Sequence, residues 1–164
     1  MNSKIQYLVS VTFAVVALSL GSLSASAQCS DPAPEKAVIG AWRGLTGEGN
    51  RILLSANSDG LTSSSVVSEV SLRLRPNVLT PGQGVWRHVA DRTFEMTAYG
   101  LFYSISTGRY QGYLKAKLRL TVNETCTDMA GTDKVEIYDP NGNLVFAVPE
   151  APTSYVRTLA EAFD

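Results

Sequence analysis

The chain has 164 residues, with 14 Lys or Arg against 15 Asp or Glu and one histidine, for a formal net charge of −1 at neutral pH. That balance excludes the basic surplus of a general nucleic-acid binder, and one histidine with two cysteines leaves no zinc-type ligand set. The length, with 45% hydrophobic residues, suits a single domain able to bury a core.

The first predicted element is a leader. Lys4 gives a basic start, Leu8 to Leu20 is an apolar run diluted only by small polar residues, and Ala25-Ser26-Ala27 offers the small-x-small pattern of signal-peptidase cleavage. Residues 1–27 are therefore expected to be a cleaved signal peptide and 28–164 one domain, with a secreted or periplasmic destination. The run falls short of the ~20 residues of a membrane span and is followed by serines rather than Lys or Arg, so the protein is not expected to span a membrane. Gln28 is not the small residue that lipidation of Cys29 requires. Losing the leader removes one lysine and no acid, leaving 13 basic and 15 acidic residues. Cys29 and Cys126 both survive cleavage, and an even pair in an exported chain predicts one disulfide. The competing reading, a catalytic thiol, has only His88 to activate it.

After the leader, period-two alternation bounded by Gly, Asn, Asp and Pro predicts strands and hairpins. They fall at Val38 to Gly44, Arg51 to Ala56, Leu61 to Leu74, Gly84 to Ala90, Thr93 to Ser104, Gln111 to Asn123, Met129 to Tyr138 and Leu144 to Val148. The Gln111 to Asn123 strand is clearest. Leu114, Ala116, Leu118, Leu120 and Val122 share one face, and Tyr113, Lys115, Lys117, Arg119 and Thr121 share the other. One buried and one wet face are the mark of an antiparallel sheet. Asn57-Ser58-Asp59-Gly60 and Asp139-Pro140-Asn141-Gly142-Asn143 are turn signals, and Pro76 to Gly84 reads as a longer loop. Thr153 to Phe163 reads as helical, with Val156, Leu159, Ala160 and Phe163 on one side. The expected fold is all-β: an antiparallel up-and-down barrel of about eight strands with a short C-terminal helix, a sandwich being the alternative. Closure is favoured because such long strands would otherwise leave open edges.

Ile39-Gly40-Ala41-Trp42-Arg43-Gly44 contains a Gly-x-Trp, similar to the motif that plugs one barrel end in lipocalins and their calycin relatives. Gly82-Gln83-Gly84-Val85-Trp86, Arg92-Thr93-Phe94 and Val135 to Asn143 follow it. This order resembles small exported bacterial proteins with a lipocalin-like barrel, mostly of unassigned activity. The resemblance covers most of Val38 to Val148 and implies a calycin-like barrel.

Signals for chemistry are sparse. His88 and Asp91 lie three residues apart, without a Gly-x-Ser-x-Gly elbow, and read as a strand end. Asp139 to Asn143 lacks the acidic residue that would complete a calcium loop, so turn chemistry explains it. No phosphate-cradling glycine motif occurs, and no cofactor or metal is expected. From Arg73 to Arg119, eight basic residues face only Asp91 and Glu95. Lys115, Lys117 and Arg119 share one row and Arg73 and Arg75 another, which predicts either a solvated outer wall or a docking surface for an anionic partner.

Trp42, Trp86, Phe94, Met96 and Phe102 are placed to line a lumen, either as packed core or around a small hydrophobic ligand. The leading expectation is a non-enzymatic exported barrel that binds such a ligand or serves the envelope. The alternatives are an interaction module using the basic wall and a barrel cyclase resembling allene oxide cyclases. In a cyclase, Glu95, Tyr99 and Tyr103 would handle protons if their face points inward. Nothing in the sequence sets the oligomeric state.

Overall fold

Alternation along the chain becomes inside and outside across a continuous wall. The computed structural model describes residues 33–46, 49–67 and 77–158. After a 3-10 turn at Pro34–Lys36, the strands are β1 (Gly40–Leu45), β2 (Arg51–Ala56), β3 (Leu61–Val67), β4 (Asn77–Leu79), β5 (Gly82–Ala90), β6 (Thr93–Ser104), β7 (Tyr110–Val122), β8 (Asp128–Tyr138) and β9 (Leu144–Arg157). Each main strand pairs antiparallel with its neighbours, and β1 pairs with both β2 and β9. The wall therefore closes in the order β1-β2-β3-β5-β6-β7-β8-β9 and back to β1, an eight-stranded up-and-down barrel. Closure removes the edges that strands of this length would expose.

The remaining strand, β4, lies inside the predicted Pro76 to Gly84 loop. It pairs with Phe102 to Ser104 of β6, just beyond the stretch covered by β5. β4 and β5 thus follow one line, broken at Thr80-Pro81, where proline has no amide to give the ladder. The Thr80 hydroxyl fills in by accepting the Leu101 amide at 3.0 Å.

β2 and β6 occupy their predicted ranges, and most other boundaries agree within two residues. The C-terminal end corrects the sequence reading. Thr153 to Arg157 is not helical but completes β9, and no α-helix occurs among the described residues. The reason is non-local. β1 and β8 each present an unpaired edge that only this segment can cover, and it pairs with both. Thr153, Tyr155 and Arg157 then point inward and are buried, while Ser154 and Val156 face out. Pro149 is accommodated where the β8–β9 register shifts. The leader, Cys29, residues 68–76 with Arg73 and Arg75, and Leu159 to Phe163 lie outside the described residues. Among the described residues no helix is long and apolar enough to cross a membrane.

Candidate functional site

The two ends of the barrel are filled differently. One end is packed solid. Trp42, fully buried on β1, sits among Phe94, Leu120, Val122 and Met129. Its indole Nε1 donates to the Val38 carbonyl at 2.9 Å, which draws the segment before β1 across the barrel mouth. Arg157 lies over the indole, its guanidinium carbon 4.3 Å from the ring centroid, a cation–π arrangement. From there Nε donates to the Cys126 carbonyl at 2.6 Å, Nη1 to Ile39 at 2.8 Å and Nη2 to Ala37 at 2.7 Å. One side chain thus ties the last strand, the β7–β8 turn and the N-terminal lead together. Burial lowers its pKa. Gly44 leaves the space that the Tyr155 ring occupies, where a β-carbon would meet the ring and the Ser154 backbone.

The other half of the lumen is hollow. A cavity of about 60 Å³ lies between apolar walls, among them Ile52, Leu54, Met96, Leu118 and Val135. Small residues leave the room: Gly82, Ala98, Gly100 and Ala116 line it where large ones fill the closed end. Polar residues also border it, among them the buried Asn50, Thr62, Asp133 and Tyr155. Asp133, on the inward face of β8, is buried, and Tyr155 is only 1% exposed. Burial is the main reason that the Tyr155 hydroxyl has a pKa raised to about 12. The Thr153 hydroxyl offsets part of the rise, although its proton is committed to the Leu45 carbonyl at 2.6 Å, and the charge of Asp133 adds to it. Tyr155 therefore keeps its proton throughout the physiological range.

Of the five residues read as lumen-lining, Met96 alone borders the cavity. Trp42 and Phe94 belong to the packed end. Trp86 is half-buried, packs edge-on against Phe94 at 5.6 Å and donates from Nε1 to the Asn57 carbonyl at 2.9 Å. Phe102 is buried but does not border the cavity.

Glu95, Tyr99 and Tyr103 sit on the outer wall, so their face does not point inward. Glu95 accepts from Arg87 Nε at 3.0 Å, Tyr99 is 44% exposed, and Tyr103 packs on Tyr110 at 5.8 Å. The His88 ring meets the Asp91 backbone carbonyl at 2.7 Å, not its carboxylate.

The basic row lies outside, as alternation predicts, but it is not bare. Lys115 stands 5.7 Å from the Tyr99 ring centroid. Glu136 takes Lys134 at 3.0 Å, Lys117 at 3.3 Å and the Tyr138 hydroxyl at 3.0 Å. Lys134 and Tyr138, with Lys117 behind them, hold the Glu136 carboxyl down at about 2, and Glu136 in turn raises Tyr138.

No protein-family model, curated protein or solved structure matches the chain. Sequence reasoning missed Asp133, Tyr155 and Arg157. Asp133 was recoverable from the Met129, Gly131, Asp133, Val135 alternation, whereas Tyr155 and Arg157 were hidden by the helical reading of their segment.

Proposed function

We propose that the chain is an exported, non-enzymatic, lipocalin-like barrel whose lumen holds a compact apolar ligand. The observation that carries this reading is the apolar cavity in the half of the barrel that the Trp42 cluster leaves unfilled. Its volume sets the ligand's size. At about 60 Å³ it is several times the ~10–15 Å³ that admits one water, yet far below the ~300–1,000 Å³ of pockets for drug-sized molecules. The ligand is then a molecule of a few heavy atoms, not a long lipid.

The cyclase alternative has its three candidate residues on the outer wall, away from the lumen. The interaction module loses part of its free charge to the Glu136 cluster. In this reading residues 1–27 direct export, and a Cys29–Cys126 bridge anchors the N-terminal lead beside the Arg157 cluster. Its support is that Cys126 is buried and that no described cysteine is a free thiol. Alkylation that finds both thiols free before any reduction would sink the bridge.

The binding reading is tested by methyl NMR of the intact protein under xenon pressure. Shifts are expected at the Ile52, Met96 and Leu118 methyls and not at Val122 in the packed end. Ala98→Leu, which fills the cavity, should abolish them. Unchanged lumen methyls at saturating xenon would overturn the proposal.

A further inference from the structure

The barrel wall is uneven in height. β6, β7, β8 and β9 run 12, 13, 11 and 14 residues, whereas β1, β2 and β3 run 6, 6 and 7. The long strands project past the short ones at the end opposite Trp42, where the β6–β7 and β8–β9 hairpins form a lip. Among the described residues β1 reaches β9 only from Ser154 onward, and Leu144 to Ala147 run exposed along this lip. Four consecutive exposed apolar residues in one strand call for a partner.

Cross-strand register sorts the outer face of the lip into rows. Val78, Tyr103 and Tyr110 make the first, and Ile105 stands on the turn beyond them, 67% exposed. The second row is Leu101, Tyr113, Tyr138 and Leu144, and it carries no charge. The third is Tyr99, Lys115, Glu136 and Ala147, and the fourth is Thr97, Lys117 and Lys134. Tyr99 meets Tyr113 at 6.0 Å and Tyr113 stacks on Tyr138 at 4.7 Å, so the aromatic band is continuous. From the hairpins downward the side chains therefore change in order from aliphatic to tyrosine to lysine. Lys117 and Lys134 stand directly opposite each other, a like-charge pairing that costs stability, and Glu136 is the acid that bridges them. With Lys115, three lysines around one acid leave a positive band behind the tyrosines.

We propose that this lip docks on a bilayer that carries anionic headgroups. Its layering is that of a membrane boundary. Ile105, Leu144 and Val145 enter the acyl edge, the tyrosines lie at the interface that suits amphipathic rings, and the lysines meet phosphates. The spacing agrees. Successive rows lie about 7 Å apart along a strand, close to the ~5–8 Å depth of one headgroup layer. The two uncharged rows span roughly 14 Å, about half the ~25 Å apolar band of a membrane-crossing barrel, so the lip docks without crossing. A second copy of the chain is the poorer occupant, because its lip would bring the same positive band. The inference does not depend on what the lumen holds.

The mature protein, free of its apolar leader, is sedimented with vesicles of phosphatidylcholine alone or mixed with an equal part of phosphatidylglycerol. It should follow the anionic vesicles far more than the neutral ones, and added salt should release it. Ile105→Asp combined with Val145→Asp should weaken binding at least about tenfold, and Lys115→Gln about fivefold. Both aspartates replace exposed side chains, so the melting temperature should hold. In the wild-type protein, a nitroxide on the lipid chain should broaden the Ile105 and Val145 methyls. It should spare those of Leu61, which is also exposed but lies at the Trp42 end. This second measurement needs no variant to fold.

Absence of binding at low salt, binding indifferent to phosphatidylglycerol, or Leu61 broadened as strongly as Ile105 overturns the proposal. So does lipid-free dimerisation that the two aspartates abolish, which would assign the lip to a second copy. None of these results bears on the xenon shifts in the lumen.

Discussion

Replacing Arg157 with methionine keeps an unbranched chain against the Trp42 ring but removes the three donors by which the guanidinium holds the closed end. Three backbone carbonyls, those of Ala37, Ile39 and Cys126, then lose a charged partner. A hydrogen bond to a charged group contributes about 1.5–3 kcal/mol, and leaving buried acceptors unsatisfied costs on the same scale. The three are not additive, because one rigid fork makes them all and water can reach part of the rim. The stacked cation adds about 1 kcal/mol. A loss of roughly 3–5 kcal/mol is therefore expected, a large share of the ~5–15 kcal/mol that holds a typical domain folded. Arg157→Lys keeps the charge and the stack, but a single ammonium cannot reach three carbonyls in fixed fork geometry. It should lose about 2 kcal/mol.

Urea unfolding followed by tryptophan fluorescence reads both values, with the midpoint falling at constant slope. Hydrogen exchange at the Trp42 indole should accelerate in step, since its bond to Val38 depends on the lead that Arg157 holds in place. The xenon-induced shifts of the Met96 and Leu118 methyls should survive in the folded fraction, because the cavity lies beyond the Trp42 plug. A loss below about 1 kcal/mol in Arg157→Met would refute the view that this guanidinium holds the barrel end shut.

Two further outcomes follow from the same geometry. Glu136 has its carboxyl pKa lowered from 4.5 to about 2, so its contribution to stability is complete above its unfolded value of about 4.5 and is lost as pH falls from there toward 2. Urea midpoints measured from pH 5 down to 2 should fall more steeply in the wild-type protein than in Glu136→Gln, and a carboxyl ¹³C titration centred near 4.5 would contradict the cluster. Gly84→Ala drives a β-carbon into the Thr97 backbone carbonyl, which cannot move without breaking the β5–β6 ladder, so about 3 kcal/mol or more is expected. Gly108→Ala, at φ +64° but with open space around it, should cost only about 1 kcal/mol; thermal melts that reverse this order would refute the steric argument.

What the sequence made legible was whatever alternation and turn chemistry encode locally. Leu114 to Val122 on one face and Tyr113 to Thr121 on the other are inside and outside in the barrel, and Asp139 makes its turn by accepting the Asn141 and Asn143 amides. The final strand was not legible, because Val156, Leu159, Ala160 and Phe163 fit a helix while Thr153, Tyr155 and Arg157 fit a strand. Only the edges of β1 and β8, more than a hundred and about twenty residues upstream, decide between them.

The cavity illustrates a different limit. Alternation tells which residues face inward, but hollowness depends on how their sizes sum at one level of the barrel. In β5 the inward residues run from small to large, Gly82, Gly84, Trp86, and in β6 they fall from Phe94 through Met96 and Ala98 to Gly100 before Phe102 restores bulk near the strand's end. Antiparallel pairing reverses one gradient onto the other, so that the Trp42 end receives the large side chains of both strands and the level between that plug and Phe102 receives the glycines. A mirrored size gradient across consecutive hairpins is thus the sequence signal for a barrel plugged at one end and open within at the other.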